Sequence, residues 1–237
     1  MTEETQMSFV DHLVELRGRL LKSVIALLVG SVVGLIFHQW TLRVLTAPYR
    51  AATDEPLITL GPTEGFSIVM RVGLFGGALL ASPVILYQLW RFVSPALSRR
   101  ERRMLVPLSA AFTLLFASGI LLGYWSLPRG LEFLFDFGGD VLEPTIQGQL
   151  YLSFAMRFLL AFGIAFEFPV FTFAAAAVGI VTSAQLRSGW RWAVLFIVVG
   201  GALLTPSGDP LTLTLLSVPL YLLYEVTILA VKLVLKR

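Results

Sequence analysis

The stretch "WRFVSPALSRRERR", Trp90 to Arg103, separates two long apolar runs, one ending at Trp90 and the other starting at Met104. Five of its fourteen residues are arginine and one, Glu101, is a carboxylate. Roughly 20 apolar residues in a helix cross a hydrocarbon core about 30 Å thick. The two flanking runs are therefore membrane spans, and the basic stretch is the loop that joins them. Lysine and arginine collect in cytoplasmic loops, so this loop is expected inside.

The whole chain supports a bilayer as its solvent. Of its 237 residues, 57% are hydrophobic and 14% charged, against about 25% charged in soluble domains. Without cysteine it has no disulfide, thiolate ligand or thiol nucleophile. The net charge of +3 sits in basic residues that border apolar runs, which argues against nucleic-acid binding. The first run begins near Leu20, behind a head containing Glu3, Glu4, Asp11 and Glu15. It continues to Trp40 with no clear cleavage site after it, and is expected to be a permanent span rather than a signal peptide.

Six spans are predicted in an all-α, polytopic integral membrane protein. They are Leu20–Trp40, Phe66–Trp90, Met104–Trp125, Leu152–Val178, Trp192–Leu204 and Leu211–Val231. The fifth is short, reaching only about 20 Å, so it is either buried among other helices or beside a thinned bilayer. "TPSGDP", Thr205 to Pro210, is a tight turn that makes the last two spans a hairpin. No internal repeat or linker divides the chain, so residues 1–237 form one membrane domain. With the amino terminus inside, thirteen of the eighteen lysines and arginines fall in cytoplasmic segments. Arg43, Arg50 and Arg129 fall outside; Arg71 and Arg157 lie within spans and are read as snorkelling. Both termini are thus expected in the cytoplasm.

Glu167, two residues before Pro169 in the fourth run, is the most informative charge. A charge at mid-membrane costs roughly 2.5–3.5 kcal/mol, so it should face other helices or a wet cavity. A functional role is weighed against a structural hydrogen bond to a neighbouring helix. Pro169 cannot donate to the Ala165 carbonyl and should kink the helix. Prolines 83, 107 and 219 also suggest bends. Glu225 reads as a structural pair or a snorkelling group. His12 and His38 fall on opposite sides of the membrane, so they make no metal site. GxSxG, HExxH and Walker patterns are absent. Nothing supports an enzyme, a catalytic residue, a metal or a cofactor.

In the head, "SFVDHLVELRGRLLKSV" (Ser8 to Val24), Phe9, Leu13, Leu16 and Leu20 recur as one face of an amphipathic helix. That helix is expected at the interface before the first span, with Ser8 and Asp11 able to cap it. Glu15 and Arg19 stand at i, i+4. An exposed salt bridge worth about 0.3–0.5 kcal/mol is the bland reading of Glu15, and Glu101 has a similar one among its arginines.

"HLVELRGRL" (His12 to Leu20), "SPVILYQLWRFVSPALSRRERR" (Ser82 to Arg103), "FGIAFEFPV" (Phe162 to Val170) and "TPSGDP" together resemble the TatC family, the signal-recognising subunit of the twin-arginine protein translocase. The likeness covers nearly the whole chain, from about Phe9. It implies a glove-like concave bundle in the bacterial cytoplasmic (inner) membrane and export of folded proteins driven by the proton-motive force. It also implies twin-arginine signal peptides, single-span TatA/TatB-type subunits and membrane lipids as partners, within a homo-oligomeric receptor complex. By this resemblance Phe92, Glu101 and Glu15 contact the signal, and Glu167 is the polar residue of the concave face. Pro48 is a proline important for assembly, and Asp209 is an acidic position in the last outer turn. Carboxylates bind guanidinium groups through charge-assisted, often bidentate hydrogen bonds. Two signal arginines thus find two acids, Glu15 and Glu101, and Phe92 packs the apolar residue that follows. A small-solute secondary transporter would also suit kinked spans and a buried carboxylate, though the halves do not repeat. A purely structural membrane subunit would leave Phe92, Glu101 and Glu15 unexplained.

Overall fold

The computed structural model describes residues 9–53, 55–93, 105–137 and 145–235. Ser8 and Glu101 lie outside them. The described residues form α1 (Phe9–Ile36), α2 (His38–Ala52), α3 (Glu64–Val93), α4 (Leu105–Asp136), α5 (Gly148–Ala165), α6 (Phe168–Ala177), α7 (Ser183–Ser188), α8 (Trp190–Leu204) and α9 (Pro210–Ala230), with a π-helical tail at Val231–Leu235. The described residues contain no strand, only one isolated bridge between Ile58 and Gln147. Five helical segments are long and apolar enough to cross a membrane: His12–Ile36, Glu64–Phe92, Pro107–Asp136, Gly148–Ala177 and Pro210–Leu235. α8, with 15 residues, extends about 22 Å and is the short apolar helix the sequence anticipates.

Three boundaries differ from the sequence expectation. The head is not a separate interfacial helix, because α1 runs unbroken from Phe9 to Ile36 with no proline to stop it. The first span also ends before Trp40. The helix breaks at Phe37, and Trp40 belongs to α2. The His38 ring, with Nδ1 2.7 Å from the Leu35 carbonyl oxygen, satisfies an acceptor at the break. Third, α4 continues past Trp125 and through Pro128 to Asp136. There the Arg129 guanidinium lies 3.8 Å from the Trp125 ring centroid and donates to the Trp125 carbonyl at 2.6 Å.

α1 packs chiefly along α3. Its more covered residues recur at His12, Glu15, Arg19, Ala26, Gly30 and Gly34, close to the helical period. Leu13, Leu16 and Leu20 are exposed instead. The apolar face is thus the outward one, as lipid-facing helices require, and the seam is polar at one end and small at the other. Gly30 and Gly34 meet Gly73 and Gly77 backbone to backbone. A Cβ at Gly30 would stand 2.5 Å from the Gly77 carbonyl oxygen. This is small-residue packing of the kind that membranes favour, since lipid gives no hydrophobic drive between helices.

The core gathers around α5, the most deeply covered pass. Phe158 and Phe162 stack at 4.8 Å beneath Tyr151, Leu127 and Leu216. A second cluster joins Trp90, Phe112 and Val170, with Phe112 5.6 Å from Trp90 and 5.4 Å from Phe171. At the far end of α1, the two longer connections tie together. Ile58 N–H donates to the Ile146 carbonyl at 3.2 Å and Gly148 N–H to Ile58 at 2.8 Å. Glu64 completes the tie by accepting from Leu60 N–H at 2.7 Å and Gln149 N–H at 3.1 Å. The last hairpin turns at Gly208, whose φ of +60° suits glycine. α7 is held to α9 by Arg187 and Glu225, 2.7 Å apart, the structural pairing expected for Glu225.

The glycine seam predicts a sharp contrast. Gly34→Ala places a methyl group against the Gly73 backbone and should cost about 1–3 kcal/mol through overpacking. Gly200, in α8, has open space around it, so Gly200→Ala should be neutral or stabilising by up to about 1 kcal/mol. Thermal unfolding of both variants in detergent checks this. Equal melting would remove the seam as the anchor of α1.

Candidate functional site

The continuous α1 carries the head to the end of α3. There His12 stacks on Phe92, with ring centroids 4.4 Å apart and planes at 20°. One turn further along α1, Glu15 accepts from Arg19 Nε at 3.0 Å through its Oε1. Its Oε2 is buried and has no hydrogen-bond partner among the described residues. Arg91 donates to the Tyr87 hydroxyl at 3.1 Å. The result is an aromatic plate beside a carboxylate with one unused oxygen, on the face where the arginine-rich loop leaves α3. Glu101, in that loop, falls outside the described residues.

The structure therefore joins Phe92 to the same end of the fold as Glu15. It also adds His12, which sequence reasoning passed over. His12 and Glu15 are three residues apart, so their shared face was readable. The partner in α3, eighty positions away, was not. The i, i+4 bond of Glu15 to Arg19 is also present, but the pair is largely covered, 18% and 15% exposed, rather than exposed as the sequence suggests.

Glu167 stands elsewhere. α5 ends at Ala165 and α6 starts at Phe168, with Pro169 at the start of α6 as the sequence anticipates. The helix tightens at the break: Glu167 N–H donates to Ile164 at 3.1 Å, three residues back. Glu167 is only 4% exposed. Neither carboxyl oxygen has a hydrogen-bond partner among the described residues. The described structure offers Glu167 no structural hydrogen bond, so that reading loses support.

Pro48 and Asp209 have local structural explanations. Pro48 is buried within α2 and has no N–H to donate to the Val44 carbonyl. The Tyr124 hydroxyl of α4 donates to that carbonyl instead, at 3.0 Å. Next to it the Tyr151 hydroxyl donates to Leu45 at 2.6 Å. Pro48 thus opens a backbone acceptor through which α2 docks on the bundle, a role the sequence alone does not show. Asp209 is the N-cap of α9. It accepts from Thr212 N–H at 2.7 Å and from the Ser207 hydroxyl at 2.6 Å. Burial pushes the Asp209 carboxyl up, but the hydrogen bonds from Ser207 and Thr212 outweigh it and hold the group below the ordinary aspartate value.

Two outcomes follow from these environments. A buried polar group without a partner costs about 1–3 kcal/mol. Glu167→Met, apolar and of similar length, should therefore raise or preserve thermal stability in detergent. A large loss would show that Glu167 makes a structural bond. For Asp209, the lowered folded-state value means the carboxylate contributes stability above its unfolded value of about 3.9. That contribution is lost as pH falls through the folded value. Asp209→Ala should cost about 1 kcal/mol near neutral pH and remove this acid-side loss, as pH-dependent melting would report.

Comparison with known proteins bears on the whole chain. A family model described as "Sec-independent protein translocase protein (TatC)" matches residues 11–219. A Sec-independent protein translocase protein TatC from Aquifex aeolicus is 39% identical over 235 residues, covering 98% of this chain and 97% of the relative. One from Desulforapulum autotrophicum is 37% identical over 233 residues, covering 97% and 86%. A crystal structure of a twin-arginine translocase receptor, TatC, in the detergent DDM superposes with a TM-score of 0.80 at 39% identity. The match covers 94% of this chain and all of that one, 100%.

Proposed function

The chain belongs to the TatC family of Sec-independent protein translocase proteins, and from that premise we propose that its head and first arginine-rich loop form the receptor for twin-arginine signal peptides. It is a membrane-embedded, non-enzymatic component of that translocase. The small-solute transporter reading is set aside, since the relatives are translocase proteins.

The observation that carries the proposal is the pairing of Phe92 with His12 one turn from Glu15, whose Oε2 has no partner among the described residues. A guanidinium has five donors in a rigid fork. One signal arginine exchanges with Arg19 at the Glu15 carboxylate, whose second oxygen, Oε2, accepts nothing among the described residues. The second arginine falls to Glu101. The aromatic plate of Phe92 and His12 takes the apolar residue beyond the pair. The arginines of the loop hold it on the cytoplasmic face and repel basic segments that do not reach both acids.

In this reading six helices cross the bacterial cytoplasmic membrane, α8 being the short one, with both termini inside. The exposed apolar surface of α8, including Trp192, Phe196 and Leu203, and its short length support docking of single-span TatA/TatB-type helices along the α8–α9 edge. Glu167, buried and without a hydrogen-bond partner among the described residues, is the polar point at which an entering partner helix or signal segment finds a bond. The receptor works as a homo-oligomeric assembly, and transport of folded cargo draws on the proton-motive force. Pro48 serves that assembly by fixing α2.

The test is capture of a fusion bearing a twin-arginine signal by the detergent-purified protein. The fusion should be retained, and released when both arginines become lysine. Glu101→Gln and Glu15→Gln should each weaken retention by about 1.5–3 kcal/mol, the worth of a hydrogen bond to a charged group. Phe92→Ala should weaken it through lost packing, and Phe92→Leu should retain part. Equal capture of the arginine and lysine fusions would leave a purely structural subunit.

A further inference from the structure

On the opposite side of the bundle from the Phe92 plate, α1, α3 and α5 enclose a groove of about 530 Å³. Its walls are apolar, with Leu27 and Leu28 from α1, Leu74 and Phe75 from α3, and Met156 and Leu160 from α5. Two arginines, Arg71 and Arg157, line the same groove. Both side chains are exposed. Arg71 donates to the Ser153 hydroxyl at 3.1 Å, which uses one of its five N–H groups. Neither arginine pairs with a carboxylate among the described residues, where the ion pairs are Arg19–Glu15 and Arg187–Glu225. Ser31, also in the lining, spends its hydroxyl on the Leu27 carbonyl at 2.7 Å. The groove lining thus carries two positive charges and, among the described residues, no carboxylate, above a hydrocarbon wall.

Depth identifies what can neutralise them. α3 has 30 residues, about 45 Å at 1.5 Å per residue, which matches a bilayer of 40–45 Å with its headgroups. A hydrocarbon core of about 30 Å leaves roughly 7 Å of headgroup layer at each end of α3. Arg71 lies seven residues from Glu64, about 10 Å along α3, and Arg157 nine residues from Gly148, about 14 Å along α5. Both backbones are just beneath the boundary on the α2 face. Arginine side chains at that depth extend to the headgroup level. They converge where lipid phosphates sit, and the apolar walls continue inward from them as acyl chains do.

We propose that the groove between α1, α3 and α5 is a binding site for an anionic phospholipid of the leaflet on the α2 face, with Arg71 and Arg157 holding its phosphate and the apolar walls its acyl chains. Arginine suits the task, since its planar fork bonds phosphate in a bidentate manner. Ser153 orients Arg71 by accepting one N–H and leaves the rest of the fork free. An isolated snorkelling arginine would need no such convergence. A bound lipid also fills the space between α1 and α5 beside the glycine seam of α1 and α3.

The test uses the full chain purified in detergent and titrated with phosphatidylglycerol or phosphatidylcholine of identical chains, with bound lipid counted by native mass spectrometry. The wild-type protein should prefer phosphatidylglycerol by about tenfold or more, because the choline cation of phosphatidylcholine opposes the two arginines that its phosphate meets. The double variant Arg71→Gln, Arg157→Gln should lose that preference, and the double lysine variant should keep part of it. Undiminished preference in the glutamine variant, or none in the wild type, overturns the proposal. So does intact lipid binding together with loss of a co-purifying single-span subunit, which would make the arginines a site for an acidic partner helix. Should the glutamine variant fail to fold, the fluorescence that Leu74→Trp adds to that of the five native tryptophans decides the matter in lipid nanodiscs, read as the difference from the parent protein. Quenching by brominated phosphatidylglycerol should exceed that by brominated phosphatidylcholine severalfold, and equal quenching overturns the site.

Discussion

The contact of α1 with α3 through Gly30, Gly34, Gly73 and Gly77 is the constraint on which the rest of the arrangement depends. In a bilayer, apolar side chains gain nothing by leaving lipid for protein, so helices associate by close packing and polar contacts. Four glycines let two backbones meet, and that meeting fixes the angle and register of the pair. Because α1 has no break before Phe37, the same register carries through the head. His12 and Glu15 are delivered to Phe92 by backbone geometry set about five turns away. The polar end of the seam and its glycine end are two parts of one helix face.

The bundle also tolerates broken backbone, and each break is answered by a group from elsewhere. Pro48 leaves the Val44 carbonyl open and Tyr124 fills it. The α1 break is answered by His38, and the start of α9 by Asp209. Unsatisfied backbone is costly away from water, so these side chains are fixed by the breaks they serve. Glu167 differs. It sits at a break between α5 and α6, is buried, and serves no backbone donor or side chain among the described residues. An ionisable group kept at such a cost without a structural return is the pattern expected of a functional position.

Charge is divided between the two faces of the membrane by chemistry as well as by number. On the face of the Phe92 plate, an acid stands among bases, and the free acceptor belongs to Glu15. On the α2 face, Arg71 and Arg157 stand at the rim of an apolar groove and pair with no carboxylate among the described residues. The first arrangement suits a cationic peptide and the second an anionic headgroup. Both use the same guanidinium geometry, with the protein supplying the carboxylate in one case and the arginines in the other.

Much of the fold was legible in the sequence because the bilayer imposes a length on apolar helices and a sign on their flanking loops. The runs and the short α8 follow from that, whereas the hairpin at Gly208 and the break before Pro169 follow from glycine and proline. The motifs also sufficed to place the chain in its family and to single out Phe92, Glu15 and Glu167. That the head and the first span are one helix was not legible. Leu13, Leu16 and Leu20 read as the apolar side of a separate interfacial helix. They are exposed on the continuous α1 instead, and the face with His12, Glu15 and the glycines turns toward α3. Helix ends were equally hidden, since apolar character falls near both Phe37 and Trp125, yet the helix breaks at the first and continues through the second. Only the tertiary structure decided what pairs across the chain: His12 with Phe92, Tyr124 with the Val44 carbonyl, and Arg71 with Arg157 around one groove. A sequence prescribes local geometry through periodicity and chain stiffness, whereas those contacts come from packing helices that are distant in sequence.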